Sequence, residues 1–108
     1  MVNSAVKMLG LLVLLTIMLQ PSAALDKYFI YVRNENGDYI QEASLKIWNG
    51  DTLVDKGYTD ADGKFTAWLD KDTRYRIVAE NNGRYKEWNE FPPRNSVRIE
   101  IRVAYVVY

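Results

Sequence analysis

From residue 28 onward, apolar residues recur at every second position in short runs, and clusters of Gly, Asn and Asp separate the runs. A period of two sends alternate side chains to opposite faces of a strand, whereas a helix repeats its apolar positions every three to four residues. Residues 43–48 put Ala43, Leu45 and Ile47 on one face and Ser44, Lys46 and Trp48 on the other. Residues 64–69 point Phe65, Ala67 and Leu69 one way, and residues 75–80 do the same with Tyr75, Ile77 and Ala79. The run YFIYVR at 28–33 is apolar on both faces, as in a strand covered on both sides. Residues 52–59 read as one irregular strand around Gly57, and residues 85–88 as a short one. The longest run is 96–108, where Val97, Ile99, Ile101 and Val103 form an inward set against Arg98, Glu100 and Arg102. Its alternation stops at Ala104, and 104–108 is uncharged on both faces. Turns are expected at 34–38, at Asn49-Gly50, where both residues tolerate positive φ, and at 81–83. Pro92-Pro93 excludes a central strand there. The pattern predicts an all-β sandwich of six or seven strands in a single domain, residues 25–108.

The first 24 residues follow a different rule. Lys7 is the one charge in a short leading stretch, 8–19 is an uncharged run, and Ser22-Ala23-Ala24 presents small residues after Pro21. These are the parts of a secretory signal peptide, a hydrophobic helix over 1–24 with cleavage after Ala24. The alternative is an uncleaved membrane anchor. Twelve residues at about 1.5 Å each span roughly 18 Å, short of a hydrocarbon core of about 30 Å. The expectation is therefore an exported protein, secreted or at the cell surface, with membrane contact only if the segment is retained.

Composition narrows the chemistry. The chain has 14 basic and 14 acidic residues, and only Lys7 among them precedes residue 25, so the expected mature part carries a formal charge of −1. It has no basic surplus for a phosphate backbone, which argues against nucleic acid as a partner. There is no cysteine and no histidine. Disulfides, thiolate metal sites, the common zinc sites and Ser–His or Cys–His nucleophiles cannot be built. Small exported domains often need disulfides because they bury little surface. Here three Trp, eight Tyr and three Phe, all beyond residue 24, supply large buried area instead. The carboxylate pairs Asp60/Asp62 and Asp70/Asp72 fall in predicted turns, with no apolar pocket to raise a pKa. The expectation is a protein that is not an enzyme and that holds no cofactor.

The motifs 36–38 (NGD), 42–45 (EASL), 57–65 (GYTDADGKF), Tyr75 with Ile77, and 83–85 (GRY) occur in an order that resembles the transthyretin-like, carboxypeptidase-regulatory-like sandwich domains of secreted proteins. The likeness covers about residues 28–103, and it implies a small immunoglobulin-like or transthyretin-like sandwich while leaving activity open. Asp60 and Asp62 supply half of a calcium loop, but Lys64 stands where a further acidic ligand belongs, so the segment reads as a turn closed by Gly63. Related collagen-adhesin domains form a Lys–Asn isopeptide bond beside an acid on the tyrosine's face. Here Glu80 lies five residues after Tyr75 and so on the opposite face, and the last strand offers no asparagine.

Two readings of function follow. One is a structural or protein-interaction module, a subunit of an extracellular assembly, with a protein partner or self-assembly. The other is a carbohydrate- or small-ligand-binding module that uses exposed aromatics. Candidate contacts are Trp48 and Trp68, which alternate out of phase with their core neighbours, and Tyr105 and Tyr108 in the uncharged C-terminal segment. That segment is expected to fold back on the strand at 28–32, to add to a neighbour's sheet edge or to be held near a membrane.

Overall fold

A computed structural model describes residues 24–106. The expected signal segment therefore lies outside the described residues except for Ala24, which is exposed, and so does Tyr108. The described residues form two sheets and no helix. The strands are β1 (Asp26–Arg33), β2 (Ser44–Asn49), β3 (Thr52–Tyr58), β4 (Lys64–Leu69), β5 (Tyr75–Asn81), β6 (Arg84–Glu90), β7 (Arg98–Arg102) and β8 (Ala104–Tyr105). One sheet has the order β4-β1-β7 and the other β3-β2-β5-β6-β8. All pairings are antiparallel except β1 with β7, which run parallel.

The inner faces are the alternating sets read from the sequence. Ile30, Val32, Leu69 and Ile101 from the first sheet meet Leu45, Ile47 and Ile77 from the second, and all are almost fully buried. Tyr28 and Tyr75 close one end of this core, while Phe65, Ile40 and Trp88 pack against its margins. β-branched and aromatic residues fit a pleated, half-buried surface, so local preference and burial agree.

Four details differ from the sequence expectation. The hairpin loop after β2 is Gly50-Asp51, since Asn49 still pairs with Thr52, and only Gly50 takes a positive φ, 59°. Glycine at the first of two loop positions is what a type II′ turn requires. β1 is deeply buried on one face only, with Phe29 and Tyr31 half-buried on the other. Val97 is 55% exposed, because β7 begins after it at Arg98 and its carbonyl instead accepts from Phe29 N–H at 2.8 Å. Finally, the long C-terminal run is divided between the sheets. Arg98–Arg102 joins β1, Val103 is buried at the corner, and Ala104–Tyr105 pairs with Arg84 and Tyr85 at the start of β6. Loss of alternation at Ala104 thus marks a change of sheet, and it adds an eighth, two-residue strand.

Two sets of polar contacts hold the crossovers. At one end, Thr59 is the buried polar residue among those described; its hydroxyl donates to Ile40 O at 2.5 Å and accepts from Ala43 N–H at 2.9 Å. Gly63 follows at φ 75°, where a Cβ would lie 2.8 Å from Tyr39 Cβ and 3.1 Å from Ile40 N. At the other end, Tyr75 Oη accepts from Asp70 N–H at 2.9 Å and Tyr28 O–H donates to Pro93 O at 3.0 Å.

Thr59→Val is expected to cost roughly 2–4 kcal/mol, because it orphans the buried Ala43 N–H and the part-buried Ile40 carbonyl while keeping side-chain shape. Gly63→Ala should cost a similar roughly 2–4 kcal/mol from left-handed strain and overlap. Gly50→Ala, with no atom within 4 Å of the new methyl, should lose only about 1–2 kcal/mol from strain. Urea unfolding of the three variants checks this order, and equal losses for both glycines would show that overlap at Gly63 is relieved without cost.

Burial pushes the Tyr28 phenol above its ordinary pKa, and the nearby Asp26 carboxylate adds to the rise. A phenol whose folded pKa is raised contributes stability below its unfolded pKa of about 10, and that contribution is lost as pH rises through the folded value. The unfolding free energies of the wild type and Tyr28→Phe should therefore converge as pH is raised above about 10. A difference that stays constant through that window would count against the assignment.

Candidate functional site

The outer face of the three-stranded sheet is built by the residues that alternate with the core. β1 contributes Lys27, Phe29, Tyr31 and Arg33, β4 contributes Lys64, Thr66 and Trp68, and β7 contributes Arg98, Glu100 and Arg102. The register sets Lys27 opposite Trp68, Tyr31 between Lys64 and Glu100, and Arg33 beside Arg102. Five cations thus share these three strands' outer positions with one carboxylate, Glu100.

Four of the five cations lie over rings. Lys64 Nζ is 5.0 Å from the centroid of Phe29, and Lys27 Nζ is 5.8 Å from Phe29 and 5.9 Å from Trp68. The Arg98 guanidinium sits 3.9 Å above Tyr31, and that of Arg33 sits 4.3 Å from Tyr39. Tyr39 reaches the face from the β1–β2 connection, where its bridge to Arg33 fixes the backbone, and its ring tilts against Tyr31 at 5.5 Å. Ring quadrupoles attract such cations, and the long stems cover apolar surface while the charged ends stay wet.

At the β7 side these groups close into a cluster. Glu100 Oε1 accepts from Arg98 at 2.6 Å and from Arg33 at 3.2 Å, while Tyr39 Oη accepts from both arginines. Hydrogen bonding to Glu100 is the main cause that raises the Arg98 pKa further. One carboxylate clasped between two guanidiniums is the arrangement that this face uses on itself. Toward β4, Trp68 is 57% exposed, with Lys27 beside its ring.

The other sequence candidates are placed differently. Trp48 lies on the outer face of the five-stranded sheet, half-buried beneath the Arg76 guanidinium at 5.3 Å, and Arg76 is paired with Glu87 at 3.3 Å. Trp48 and Trp68 alternate out of the core as the pattern required, but on opposite outer faces, so they do not form one surface. Trp88 packs on the core margin, and Phe91 is itself 53% exposed. Tyr105 is exposed on β8 under Arg84, whose guanidinium is 4.8 Å from the ring. Trp48 and Tyr105 both belong to strands of the five-stranded sheet and are not among the outward positions of β1, β4 and β7. Tyr39, Phe29 and Tyr31 were not among the sequence candidates. Tyr39 sits in a connection outside any alternating run, and only strand pairing brings it over Tyr31.

The carboxylate pairs are used by turns. Asp60 Oδ1 accepts the N–H groups of Asp62 and Lys64 at 2.9 and 3.0 Å. Asp70 accepts from Asp72 N–H and from the Thr73 hydroxyl, both at 2.9 Å, and those bonds hold its carboxyl below the ordinary range. Asp72 pairs with Arg94 at 2.5 Å. Glu80 is exposed on the face opposite to Tyr75. Among the described residues no three His, Cys, Asp or Glu side chains gather to hold a metal ion.

These geometries define a small all-β sandwich with one open, cation-rich aromatic face. No protein-family model matches the chain, and no curated protein matches it in sequence.

Proposed function

We propose that this chain is a non-enzymatic, exported β-sandwich module of the transthyretin-like type that works by surface contact. The observation that carries this reading is the outer face of the three-stranded sheet, with five cations, one carboxylate and an exposed Trp68. Large aromatic rings beside arginine are the residue types that dominate binding surfaces, and unbalanced charge steers an oppositely charged partner. An acidic partner on the outside of the cell, in an assembly of which this domain is a subunit, fits both features. The second reading, a carbohydrate-binding module, is favoured by Trp68 itself, whose exposed ring can stack on the apolar face of a sugar.

Export and contact are tested together in the native host. The protein should be recovered from the envelope or medium with Leu25 as its first residue; recovery from membranes with Met1 intact would favour the anchor instead. On washing with salt, retention on the envelope fraction should fall for the wild type and should be lost earlier for Trp68→Ala and for Lys27→Gln with Lys64→Gln. Melting temperatures should remain within about 2 °C of wild type, because these side chains are surface groups. Unchanged retention in both variants would remove this face as the contact surface.

A further inference from the structure

We infer that the outer face of the three-stranded sheet binds an acidic polysaccharide whose negative groups are carboxylates, a polyuronate. This inference rests on the contact-surface reading above and names the ligand class of that same face.

The argument starts from charge. Lys27, Arg33, Lys64, Arg98 and Arg102 project from three adjacent strands, and Glu100 is the sole carboxylate that projects with them. The whole chain has equal numbers of acidic and basic residues, so this imbalance is a property of the face and not of the composition. Arg33 and Arg98 spend part of theirs on Glu100, which shows the coordination the face offers to a carboxylate: two guanidiniums on one oxygen. Lys27 and Lys64 have no carboxylate partner within the face, and rings are what they lie against.

Shape then selects among anions. The face is an open sheet, and its outward residues recur about every 6.6 Å along a strand and about 4.8 Å between strands. The pocket on its border lies at the β7 edge, lined by Phe91, Pro93, Arg98 and Glu100 and by neither Phe29 nor Trp68, so the rings offer a flat surface and not the deep seat that an anchor residue of a protein interface uses. A folded or helical acidic peptide would bring side chains that this surface cannot bury. A flat, extended polymer of rings meets it better. Each uronate unit carries an apolar C–H face, which stacks on Trp68, and a carboxylate at its edge, which reaches Lys27 or Lys64 on either side of Phe29. Ring and cation therefore act on one ligand unit at neighbouring positions, and repetition of that unit along the chain engages Arg98 and Arg102.

The experiment uses the full chain, exported and purified from the host, with titration calorimetry and affinity electrophoresis. The probes are polygalacturonate, neutral dextran, dextran sulfate, poly-glutamate and vesicles of equal parts phosphatidylcholine and phosphatidylglycerol. Polygalacturonate should bind more tightly than the other four. Trp68→Ala should weaken it roughly five- to tenfold, Trp68→Phe should restore most of the loss, and both should melt as the wild type does. Lys27→Gln with Lys64→Gln should flatten the salt dependence. Equal or tighter binding of dextran sulfate, poly-glutamate or the vesicles would overturn the inference in favour of a general anion surface, a protein partner or a lipid surface respectively. Insensitivity to Trp68→Ala would overturn it as well. If no probe binds while Trp68→Ala still loses envelope retention, the polyuronate is wrong and the contact surface stands; if retention is also unaffected, both fall.

Discussion

The hydroxyl of Thr59 joins two crossovers that the sandwich cannot do without. It sits where the chain leaves β3 for β4, and it bonds to Ile40 and Ala43, where the chain passes from β1 to β2. Backbone bonds reinforce the same point: Glu42 N–H donates to Thr59 O, Thr59 N–H to Ala43 O, and Ile40 N–H to Val32 O. Glu42 is held at φ 61° by that contact, a conformation that a non-glycine residue adopts only when its surroundings demand it. A chain without cysteine has no covalent tie between its sheets, so their mutual position depends on buried apolar area and on such junctions. The same junction fixes Tyr39 above Gly63, and Tyr39 is what extends the aromatic face beyond the strands.

The two outer faces solve the same problem in opposite ways. Each sheet must expose one side, and each places aromatic residues there. On the five-stranded sheet, Arg76 covers Trp48 and is itself neutralised by Glu87, so ring, cation and carboxylate are in balance. On the three-stranded sheet, the cations outnumber the acid and the rings take the place of missing counter-ions. Exposed ion pairs contribute little to stability, typically 0.2–1 kcal/mol, so neither arrangement is explained by folding alone. The unbalanced face lays the stems of its cations along rings, leaves their charged ends in water and has one acid to share among them. A ligand that brings carboxylates adds favourable interactions there without first breaking strong ones.

Most of the sandwich was legible because burial on one face enforces strict alternation. Leu45 and Ile47, Ala67 and Leu69, and Ile77 and Ala79 each announced their strand and its inward side. What alternation does not contain is which sheet a strand joins. Trp48 and Trp68 carry the same local signal, yet one faces away from each sheet, and only long-range pairing decides that. The C-terminal run shows the same limit. Residues 98–103 alternate cleanly, but the move to β6 at Ala104 appears in sequence only as an end to the pattern. Val97 continued the apolar phase past the strand's edge, and it is exposed just before β7 begins at Arg98. The cation-rich face was hidden for a related reason. Lys27, Lys64 and Arg98 are distant in sequence, and a chain of zero formal charge gives no hint that five basic residues converge.

The residues behind the transthyretin-like resemblance have assigned work inside the fold. Gly37 takes φ 86° in a turn that Asn34 Oδ1 holds through Asn36 and Asp38 N–H groups. Ala43 and Thr59 form the buried junction, Asp60 caps its own turn, Gly63 allows close approach to Tyr39, and Tyr75 anchors Asp70. A sandwich that turns at these points needs those residue types whatever it touches, so the motif describes the scaffold and leaves its use open. Positions free to carry function are the ones that the motif does not constrain. On the three-stranded sheet those are the outward positions of β1, β4 and β7, Lys64 alone among their cations lying inside the 57–65 motif, and alternation requires there only that the side chain be compatible with water. Lys, Arg and Trp at those positions are therefore not dictated by burial, and it is the pairing of β4 and β7 on either side of β1 that gathers them on a single face.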